Sequence, residues 1–383
     1  MDAIRMIGIV KCFGPVRAND GIDLIVGQQE IHCLLGENGT GKSTLMNILF
    51  GLYHPDAGEI FINEKKAAIA NPNDAYALGI GMVHQHFMLV NQLTVLENII
   101  LGKESGGLFL NRKESRKKVE ELVERFGFRI DLQEKVVNLS VGMKQRVEIL
   151  KTLYRGADII ILDEPTAVLT PQEVDELFKI LRQLKENGKT IIFITHKLNE
   201  TMSLSDRITV IRKGKVVFRC DTSSTNEKEL ATQMVGRQVE NIVAKRGQKT
   251  GQAVLELKGV RLHERAGETV SLKVRAGEIL GIAGVDGNGQ QELEEMIVGN
   301  RRVREGEIFI NGIPVQNMAV KDRKAMGLGY IPSDRHKNAM IPSFSITENF
   351  LLGYQETPEY CRKGFIDYER LRQDAEKQVE EFE

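Results

Sequence analysis

A glycine-rich segment between two apolar runs constrains the fold of this 383-residue chain more than any other feature. The segment is Gly36-Glu-Asn-Gly-Thr-Gly-Lys-Ser-Thr44, which follows the strand-like run Glu30–Leu35 and precedes the helix-like run Leu45–Leu49. Its glycines allow a tight turn in which successive backbone N–H groups point inward. A helix that begins directly after such a turn adds the partial positive charge of its N-terminus. In this setting the pattern G-x-x-x-x-G-K-[ST] predicts a phosphate-binding loop in an α/β domain.

The predicted loop offers several different groups to a bound nucleotide. We expect Lys42 to bridge the β and γ phosphates and Ser43 to hold Mg²⁺, while backbone N–H groups surround the phosphate oxygens. Loops of this kind occur in GTPases, kinases and other enzymes, so the loop alone leaves the family open. The candidate ligand-binding residues in the loop are Gly36, Glu37, Asn38, Gly39, Thr40, Gly41, Lys42, Ser43 and Thr44.

A second apolar run, Ile159-Ile-Ile-Leu-Asp-Glu164, ends in two carboxylates. Packing alone does not explain this ending, because charged side chains are rarely buried without a partner. We expect Asp163 to position Mg²⁺ through water. We expect Glu164 to polarise the attacking water as a general base.

A third apolar run, Ile191-Ile-Phe-Ile-Thr-His196, follows one strand–helix–strand unit later and ends in His196. A lone histidine is usually structural, but its position after the carboxylates favours a contact with the γ-phosphate. The helix between the two runs is well specified, since Thr170-Pro-Gln-Glu173 forms a capping box with proline in the first turn.

The order and spacing of the remaining motifs resemble those of ABC ATPases. Leu139-Ser-Val-Gly-Met-Lys-Gln-Arg-Val147 is similar to the L-S-G-G-Q signature of that family, and Gln85 stands where the family has its Q-loop glutamine. The resemblance implies that Gln85 takes part in catalysis and in holding the metal. It also implies that Ser140 and Gly142 contact a phosphate of ATP and that Phe13 stacks on adenine.

The chain also repeats part of its own sequence. Gly58-Glu-Ile-Phe-Ile-Asn63 recurs letter for letter as Gly306–Asn311, which is 248 positions later, and the same offset carries Gly36–Gly39 onto Gly284–Gly287. Self-similarity that keeps its register over separate landmarks indicates a duplicated domain. The predicted division is a first cassette over residues 1–240, a polar linker over 241–252 and the N-terminal part of a second, degenerate cassette over 253–383.

The second copy departs from the first at positions that matter for chemistry. Gln290 replaces the loop lysine, Gln291 replaces the loop serine, and Ser333 stands where the repeat would place the Q-loop glutamine. We therefore expect no hydrolysis at this second loop, although weak nucleotide binding through backbone N–H groups stays open. The repeat does not reach a counterpart of Leu139 before Glu383, so we expect the chain to be part of a longer two-cassette protein.

The resemblance implies the α/β fold of the P-loop NTPase ABC cassette, duplicated in tandem. This fold has a mostly parallel core sheet, an antiparallel β portion at about 3–30 and 58–69, and a helical subdomain at about 90–155. Two fused cassettes with an altered second loop resemble the ATP-binding subunits of simple-sugar and nucleoside importers. The segments Gly81–Val90 and Ala167–Glu173 favour the nucleoside branch.

The same resemblance implies cofactors, partners and a place in the cell. ATP and Mg²⁺ are the cofactors, transmembrane permease subunits are the partners, an extracytoplasmic solute-binding protein acts indirectly, and a second cassette completes the ATP site. The net charge of −1 does not favour nucleic acid, and no apolar run is long enough to span a membrane. We expect a peripheral protein on the cytoplasmic face of the cell membrane.

The predicted function is ATP hydrolysis that drives uptake of a simple sugar or nucleoside through the permease. Two alternatives remain open on the sequence. One is a soluble ABC factor of translation or DNA repair, and the other, for this chain alone, is an ATP-binding module without turnover.

Overall fold

The structure is a computed structural model that describes residues 1–85, 87–103, 111–237, 251–262, 269–284, 288–333 and 338–382. The chain divides into two compact units, Met1–Ile242 and Val243–Glu383, which are called the first and second unit below. The predicted linker at 241–252 lies outside the described residues except for Gly251 and Gln252.

The first unit alternates strands and helices, as an α/β domain does. In chain order its elements are β1 (Asp2–Phe13), β2 (Val16–Gly27), β3 (Ile31–Leu35), α1 (Lys42–Leu49), β4 (Ala57–Ile62), β5 (Lys65–Ala67), α2 (Pro72–Ala77), β6 (Ile80–Val83), α3 (Val95–Ile100), α4 (Arg112–Arg125), α5 (Val141–Tyr154), β7 (Ile159–Asp163), α6 (Pro171–Glu186), β8 (Thr190–Thr195), α7 (Leu198–Leu204), β9 (Arg207–Arg212), β10 (Lys215–Asp221) and α8 (Glu227–Val235).

Two sheets organise the first unit. The smaller sheet has the strand order β2-β1-β4-β5 and is antiparallel. The larger sheet has the order β10-β9-β3-β8-β7-β6, and its pairs are parallel except for the edge pair of β10 with β9. Strands β3, β7 and β8 are buried at every position, which explains why they are continuous apolar runs. The predicted parallel core sheet and antiparallel β portion are both present.

Helix α1 packs between the two sheets. Leu45 of α1 belongs to the same buried cluster as Met6 of the smaller sheet and Ile192 of the larger one. On the opposite face of the larger sheet, Phe193 packs in a second cluster with Leu181 of α6. Because α1 begins where the glycine-rich segment ends, this packing fixes that segment at the carboxyl end of β3.

The predicted helical subdomain consists of α3, α4 and α5, which contact one another. Helix α3 begins at a capping box in which Thr94 accepts from the Glu97 N–H and the Glu97 carboxylate accepts from the Thr94 N–H. Helix α6, outside this subdomain, begins with the same arrangement at Thr170 and Glu173. Both boxes satisfy N–H groups that have no partner inside the helix.

The second unit repeats the smaller sheet of the first. In chain order its elements are β11 (Ala253–Arg261), β12 (Thr269–Arg275), α9 (Gln290–Val298), β13 (Glu307–Ile310), β14 (Ile313–Pro314), α10 (Val320–Ala325), α11 (Ile346–Leu351), β15 (Cys361–Arg362), β16 (Phe365–Ile366) and α12 (Tyr368–Phe382). The order β12-β11-β13-β14 corresponds to β2-β1-β4-β5, with antiparallel pairs in both. The letter-for-letter repeat therefore forms the same kind of strand twice.

Candidate active site

The glycine-rich segment borders a cavity of about 500 Å³. Gly39 and Gly41 have left-handed φ angles of 78° and 98°. A Cβ atom at Gly41 would lie 2.1 Å from the Ala18 carbonyl oxygen, so the backbone can approach β2 only because residue 41 is glycine. From β2, the buried Asn19 donates its Nδ2 to the Gly41 carbonyl oxygen at 3.0 Å. The loop is therefore held against the smaller sheet.

The cavity lining brings together most of the predicted loop residues and two of the predicted catalytic residues. It also includes residues of β2 and of the turn between β9 and β10. The lining residues are Val16, Arg17, Ala18, Asn38, Gly39, Thr40, Gly41, Lys42, Ser43, Thr44, Gln85, Glu164, Lys213 and Gly214.

Lys42 is the buried cation of this cavity. Its Nζ donates to the carbonyl oxygens of Gly36 and Glu37, both at 2.7 Å. Burial lowers the pKa of Lys42, while the nearby carboxylates of Glu164 and Asp163 act in the opposite direction. An anion that entered the cavity would meet a partly desolvated ammonium group, where attraction is stronger than in water.

Ser43 and Asp163 provide oxygen ligands that suit a magnesium ion. The Ser43 Oγ donates to Asp163 Oδ1 at 3.2 Å, and burial raises the pKa of Asp163. Within the described ranges, no group of three or more His, Cys, Asp or Glu side chains could hold a metal by itself. Mg²⁺ usually keeps several waters and is held by one or two protein oxygens together with substrate phosphates, so this pair fits it.

Glu164 lies at the centre of the predicted catalytic residues. Its Oε1 is 3.0 Å from His196 Nδ1, and its Oε2 accepts from Gln85 Nε2 at 3.3 Å. Its backbone has a left-handed φ of 46°, which costs a non-glycine residue about 1 to 2 kcal/mol. The Glu164 N–H donates to the Ile194 carbonyl oxygen at 3.1 Å, which ties this conformation to β8. The structure thus brings Glu164, His196 and Gln85 together.

A buried polar network supports the loop that follows Glu164, and no sequence motif predicts it. Glu200 accepts from Thr166 Oγ1 at 2.6 Å and from Thr195 Oγ1 at 3.3 Å. Lys197 forms an ion pair with Glu200 at 2.9 Å and donates to the Thr166 carbonyl oxygen at 3.0 Å. This network joins the end of β8 to the loop between β7 and α6. The sequence indicates this network only through the polar residues that stand next to the buried strands β7 and β8.

Two cations of the cavity lining, Arg17 and Lys213, are also outside the predicted set. Arg17 Nη1 pairs with Asp20 Oδ1 at 2.7 Å, which anchors the side chain beside the cavity. Lys213 has a left-handed φ of 49° in the turn between β9 and β10. The dipeptide Lys213-Gly214 signals a turn in the sequence. This turn lies beside the glycine-rich loop because β9 pairs with β3, and local sequence does not encode that pairing.

Besides Gly36 and Glu37 of the loop, the lining of this cavity lacks the three predicted cofactor-binding residues that lie outside the loop. Phe13 ends β1 and packs edge-on against Tyr53, with ring centroids 5.2 Å apart. Ser140 caps the start of α5 and donates its hydroxyl to Glu173 at 3.4 Å, and Gly142 lies in the first turn of α5. The roles of these three residues stay predictions.

Comparison with known families identifies the chain. Residues 19–167 and 268–383 match the model of the ABC transporter family, so the family sequence occurs twice. The guanosine import ATP-binding protein NupO of Bacillus subtilis is 50% identical, over 99% of this chain and 76% of that protein. The nucleoside import ATP-binding protein NupA of Lactococcus lactis is 46% identical, over the same 99% and 76%. A ribose import ATP-binding protein of Rubrobacter xylanophilus is 38% identical, again over 99% and 76%.

Solved structures give the same assignment. An ATP-binding cassette of an ABC transporter in its ADP conformation matches with a TM-score of 0.55 and 27% identity, over 62% of this chain and 98% of that chain. A dimeric ATP-binding cassette in a post-hydrolysis state, bound to ADP and Pi, matches with a TM-score of 0.50 and 28% identity, over 57% and 98%. Among the described residues, the helices include none with the length and apolar character of a membrane span.

These matches confirm the predicted fold class, a P-loop ABC cassette duplicated in tandem. They do not favour the reading of the chain as an ATP-binding module without turnover. The chain belongs to the ABC transporter family, as an ATP-hydrolysing, nucleotide-binding subunit of an importer that works with membrane permease components.

Proposed function

We propose that the first unit binds ATP with Mg²⁺ in the cavity beside the glycine-rich loop and that hydrolysis there drives nucleoside uptake. The observation that carries the proposal is the position of Glu164. Its carboxylate lines the same cavity as Lys42 and contacts both Gln85 and His196. A proton acceptor and a buried cation in one cavity are what hydrolysis of a phosphoanhydride requires. In this proposal the first cassette spans 1–240, the linker 241–252 and the second cassette 253–383.

Binding begins with the groups that the loop already presents. Lys42 exchanges the carbonyl oxygens of Gly36 and Glu37 for phosphate oxygens of ATP, which are stronger acceptors because they are charged. The backbone N–H groups at the start of α1 bind the remaining phosphate oxygens. Phe13, which is 43% exposed at the end of β1, stacks on the adenine.

Ser43, Gln85 and, through water, Asp163 are the residues that would hold Mg²⁺. Mg²⁺ held by these residues would supply positive charge to the phosphate oxygens of ATP. Burial raises the pKa of Asp163. A metal cation near this carboxylate would favour its ionised form again.

Glu164 is the general base of the hydrolysis step. Its carboxylate accepts a proton from a water molecule, the water oxygen forms a bond to the γ-phosphorus, and the bond to the β-phosphate oxygen breaks to release ADP. Gln85 and His196 each contact one Glu164 oxygen, so the orientation of the carboxylate is fixed before the water arrives. His196 also contacts the γ-phosphate.

Ser140 and Gly142 act on a nucleotide that another cassette holds. They are absent from the cavity lining of their own unit, and they present a hydroxyl and an N–H group at the start of α5, a position that favours anions. The dimeric relative bound to ADP and Pi supports a reaction that needs two cassettes.

The partners are paired transmembrane permease subunits and, through them, an extracytoplasmic solute-binding protein. An exposed apolar group beside the Q-loop supports a permease contact, since such groups mark interaction surfaces. Met88 is 64% exposed, Val90 is 42% exposed and Val137 is 58% exposed, and the Val137 N–H donates to the Asn91 carbonyl oxygen at 3.1 Å. In this proposal the protein lies peripherally on the cytoplasmic face of the membrane. The names of the guanosine and nucleoside import relatives support a nucleoside as the transported substrate.

The test is ATP hydrolysis by the purified chain with Mg²⁺ present or removed by a chelator, in the unchanged protein and in Glu164→Gln. We expect the substitution to lower the hydrolysis rate by about 100-fold or more, since general bases contribute on this scale. ATP binding should persist because the phosphate-binding groups remain. A Glu164→Gln rate equal to that of the unchanged chain would contradict the proposal. Uptake of labelled guanosine against labelled ribose, by cells whose own importer subunit has been replaced with this chain, tests the substrate class.

A further inference from the structure

Glu173 contacts the starts of two helices with its two carboxylate oxygens. Oε2 accepts from the N–H and the hydroxyl of Thr170, at 3.0 and 3.1 Å, and so caps its own helix α6. Oε1 accepts from the Ser140 hydroxyl at 3.4 Å, and it lies so close to Gly142 that a Cβ atom there would be 2.5 Å from it. The Glu173 side chain therefore caps α6 and at the same time occupies the N-terminus of α5.

The other capping box of the first unit shows that this double contact is not a requirement of the motif. Glu97 accepts from the N–H and the hydroxyl of Thr94 at 3.0 and 3.1 Å, the same distances as in the Glu173 box. Its second oxygen, however, accepts from Arg112 Nη2 at 3.3 Å on the protein surface. Contact with a second helix N-terminus distinguishes Glu173 from Glu97.

The start of α5 is shaped to admit this carboxylate. A Cβ atom at Gly142 would lie 2.5 Å from Glu173 Oε1, so any other residue would push the carboxylate away. Hydrogen bonds, above all from the Thr170 N–H, hold the pKa of Glu173 below its ordinary value. Arg146 of α5 and Glu176 of α6 form an ion pair beside this contact. An anion thus already lies at the N-terminus of α5, where the helix favours negative charge.

We propose that Glu173 occupies the Ser140–Gly142 site as an internal substitute for a phosphate oxygen, and that ATP held by another cassette must displace it. This inference rests on the proposed function of Ser140 and Gly142. The displaced carboxylate keeps its Thr170 contacts through Oε2, so α6 remains capped while the site opens. Glu173 is in this sense a positioning residue, which keeps the site closed to anions until two cassettes and ATP meet.

The substitution Glu173→Gln removes the negative charge of this side chain and keeps its ability to cap α6. Glutamine serves at this position of a capping box, so α6 should begin as before, but its neutral amide competes less with a phosphate. Glu97→Gln is the matched control, because it makes the same change in a box with the same geometry, whose second oxygen contacts Arg112 and not the start of α5. Ser140→Ala removes the hydroxyl that both the carboxylate and the phosphate are proposed to use.

The measurement is the rate of Mg-dependent ATP hydrolysis per chain over a range of chain concentrations. We expect Glu173→Gln to reach half of its maximal rate at a chain concentration about two- to fivefold lower than the unchanged protein, which is the scale of one charge at a helix N-terminus. Glu97→Gln should follow the unchanged protein, and Ser140→Ala should lower the rate.

The outcomes separate this inference from the proposed function. If Ser140→Ala lowers the rate while Glu173→Gln matches the unchanged protein or requires a higher concentration, the inference is wrong and the proposed function stands. If Ser140→Ala leaves the rate unchanged, the proposed role of Ser140 fails, and this inference fails with it.

A second measurement does not require turnover. In chain labelled with ¹⁵N-glycine, the Gly142 amide signal, identified by its loss in Gly142→Ala, should shift on Glu173→Gln and not on Glu97→Gln. Added inorganic phosphate should then move that signal at a lower concentration in Glu173→Gln than in the unchanged protein. Equal phosphate responses in the two proteins would overturn the inference.

Discussion

The glycine-rich loops of the two units end with nearly the same backbone but begin their helices with different side chains. Gly41 has φ 98° and ψ 7° before α1, and Gly289 has φ 96° and ψ 4° before α9. After these glycines the first unit places Lys42, whereas the second places Gln290, which folds back towards Gly284. The end of the loop therefore has the same backbone conformation in both units. The positive charge that would bind a phosphate is present in the first unit, whereas the second unit has a neutral glutamine in its place.

The segments before the two loops differ more than the ends of the loops do. Strand β3 is buried at every position and lies between β8 and β9. The corresponding segment Ile279–Gly284 forms no strand, and Ile279 is 99% exposed. The described residues of the second unit contain no counterparts of β8 and β9. The comparison shows that an apolar run becomes a buried strand through its neighbours, because local sequence supplies only the tendency.

The largest expected difference between the two loops is in ATP binding. Lys42→Ala should weaken ATP binding by about 100-fold, since a hydrogen bond to a charged group contributes about 1.5 to 3 kcal/mol. Gln290→Ala should leave the affinity for ATP unchanged. Calorimetric titration of both variants with ATP and Mg²⁺ measures the difference. An equal loss in both variants would show that the second loop contributes to the binding site.

The two glycines should also respond differently to substitution. In Gly41→Ala the new Cβ would meet the Ala18 carbonyl oxygen and Asn19, so the loop must move away from β2. We expect ATP affinity to fall by about tenfold or more, a loss comparable to one well-placed hydrogen bond to a charged group. Gly289→Ala introduces backbone strain of about 1 to 2 kcal/mol, with no effect on ATP affinity. The same titrations check this, and an unchanged affinity in Gly41→Ala would contradict the proposed place of the phosphates.

Much of the candidate site could be predicted from the sequence because its residues follow buried apolar runs. Parallel strands bring their carboxyl ends to one edge of a sheet, and Lys42, Glu164 and His196 each follow such a strand. Asn19 and Glu200 could not be predicted in the same way. Each is placed by tertiary contacts between distant segments, and neither belongs to a motif with a known spacing.

The double contact of Glu173 illustrates the same limit. Its capping box is visible in the sequence, because the motif spans only four residues. Its contact with Ser140 joins residues 33 positions apart and depends on how α5 packs beside α6. Local patterns predicted the start of the helix, and only the structure shows what else the side chain reaches.

The smallest expected difference concerns the helix caps of the two units. Thr170→Ala and Ser345→Ala each remove a hydroxyl that accepts a hydrogen bond at the start of a helix, which costs about 1 kcal/mol. Helix α6 buries Leu177, Phe178 and Leu181 along its length, whereas α11 buries Leu351.

Packing should therefore hold α6 in place after the cap is lost, so Thr170→Ala should increase amide hydrogen exchange about fivefold in the first turn of α6 only. Ser345→Ala should increase exchange by a similar factor throughout Ile346–Leu351, because little buried surface resists opening there. Hydrogen exchange followed by mass spectrometry distinguishes the two patterns. If Thr170→Ala raised exchange along the whole of α6, then the cap, and not the packing, would hold that helix in place. The contact between Glu173 and Ser140 would then also depend on the cap.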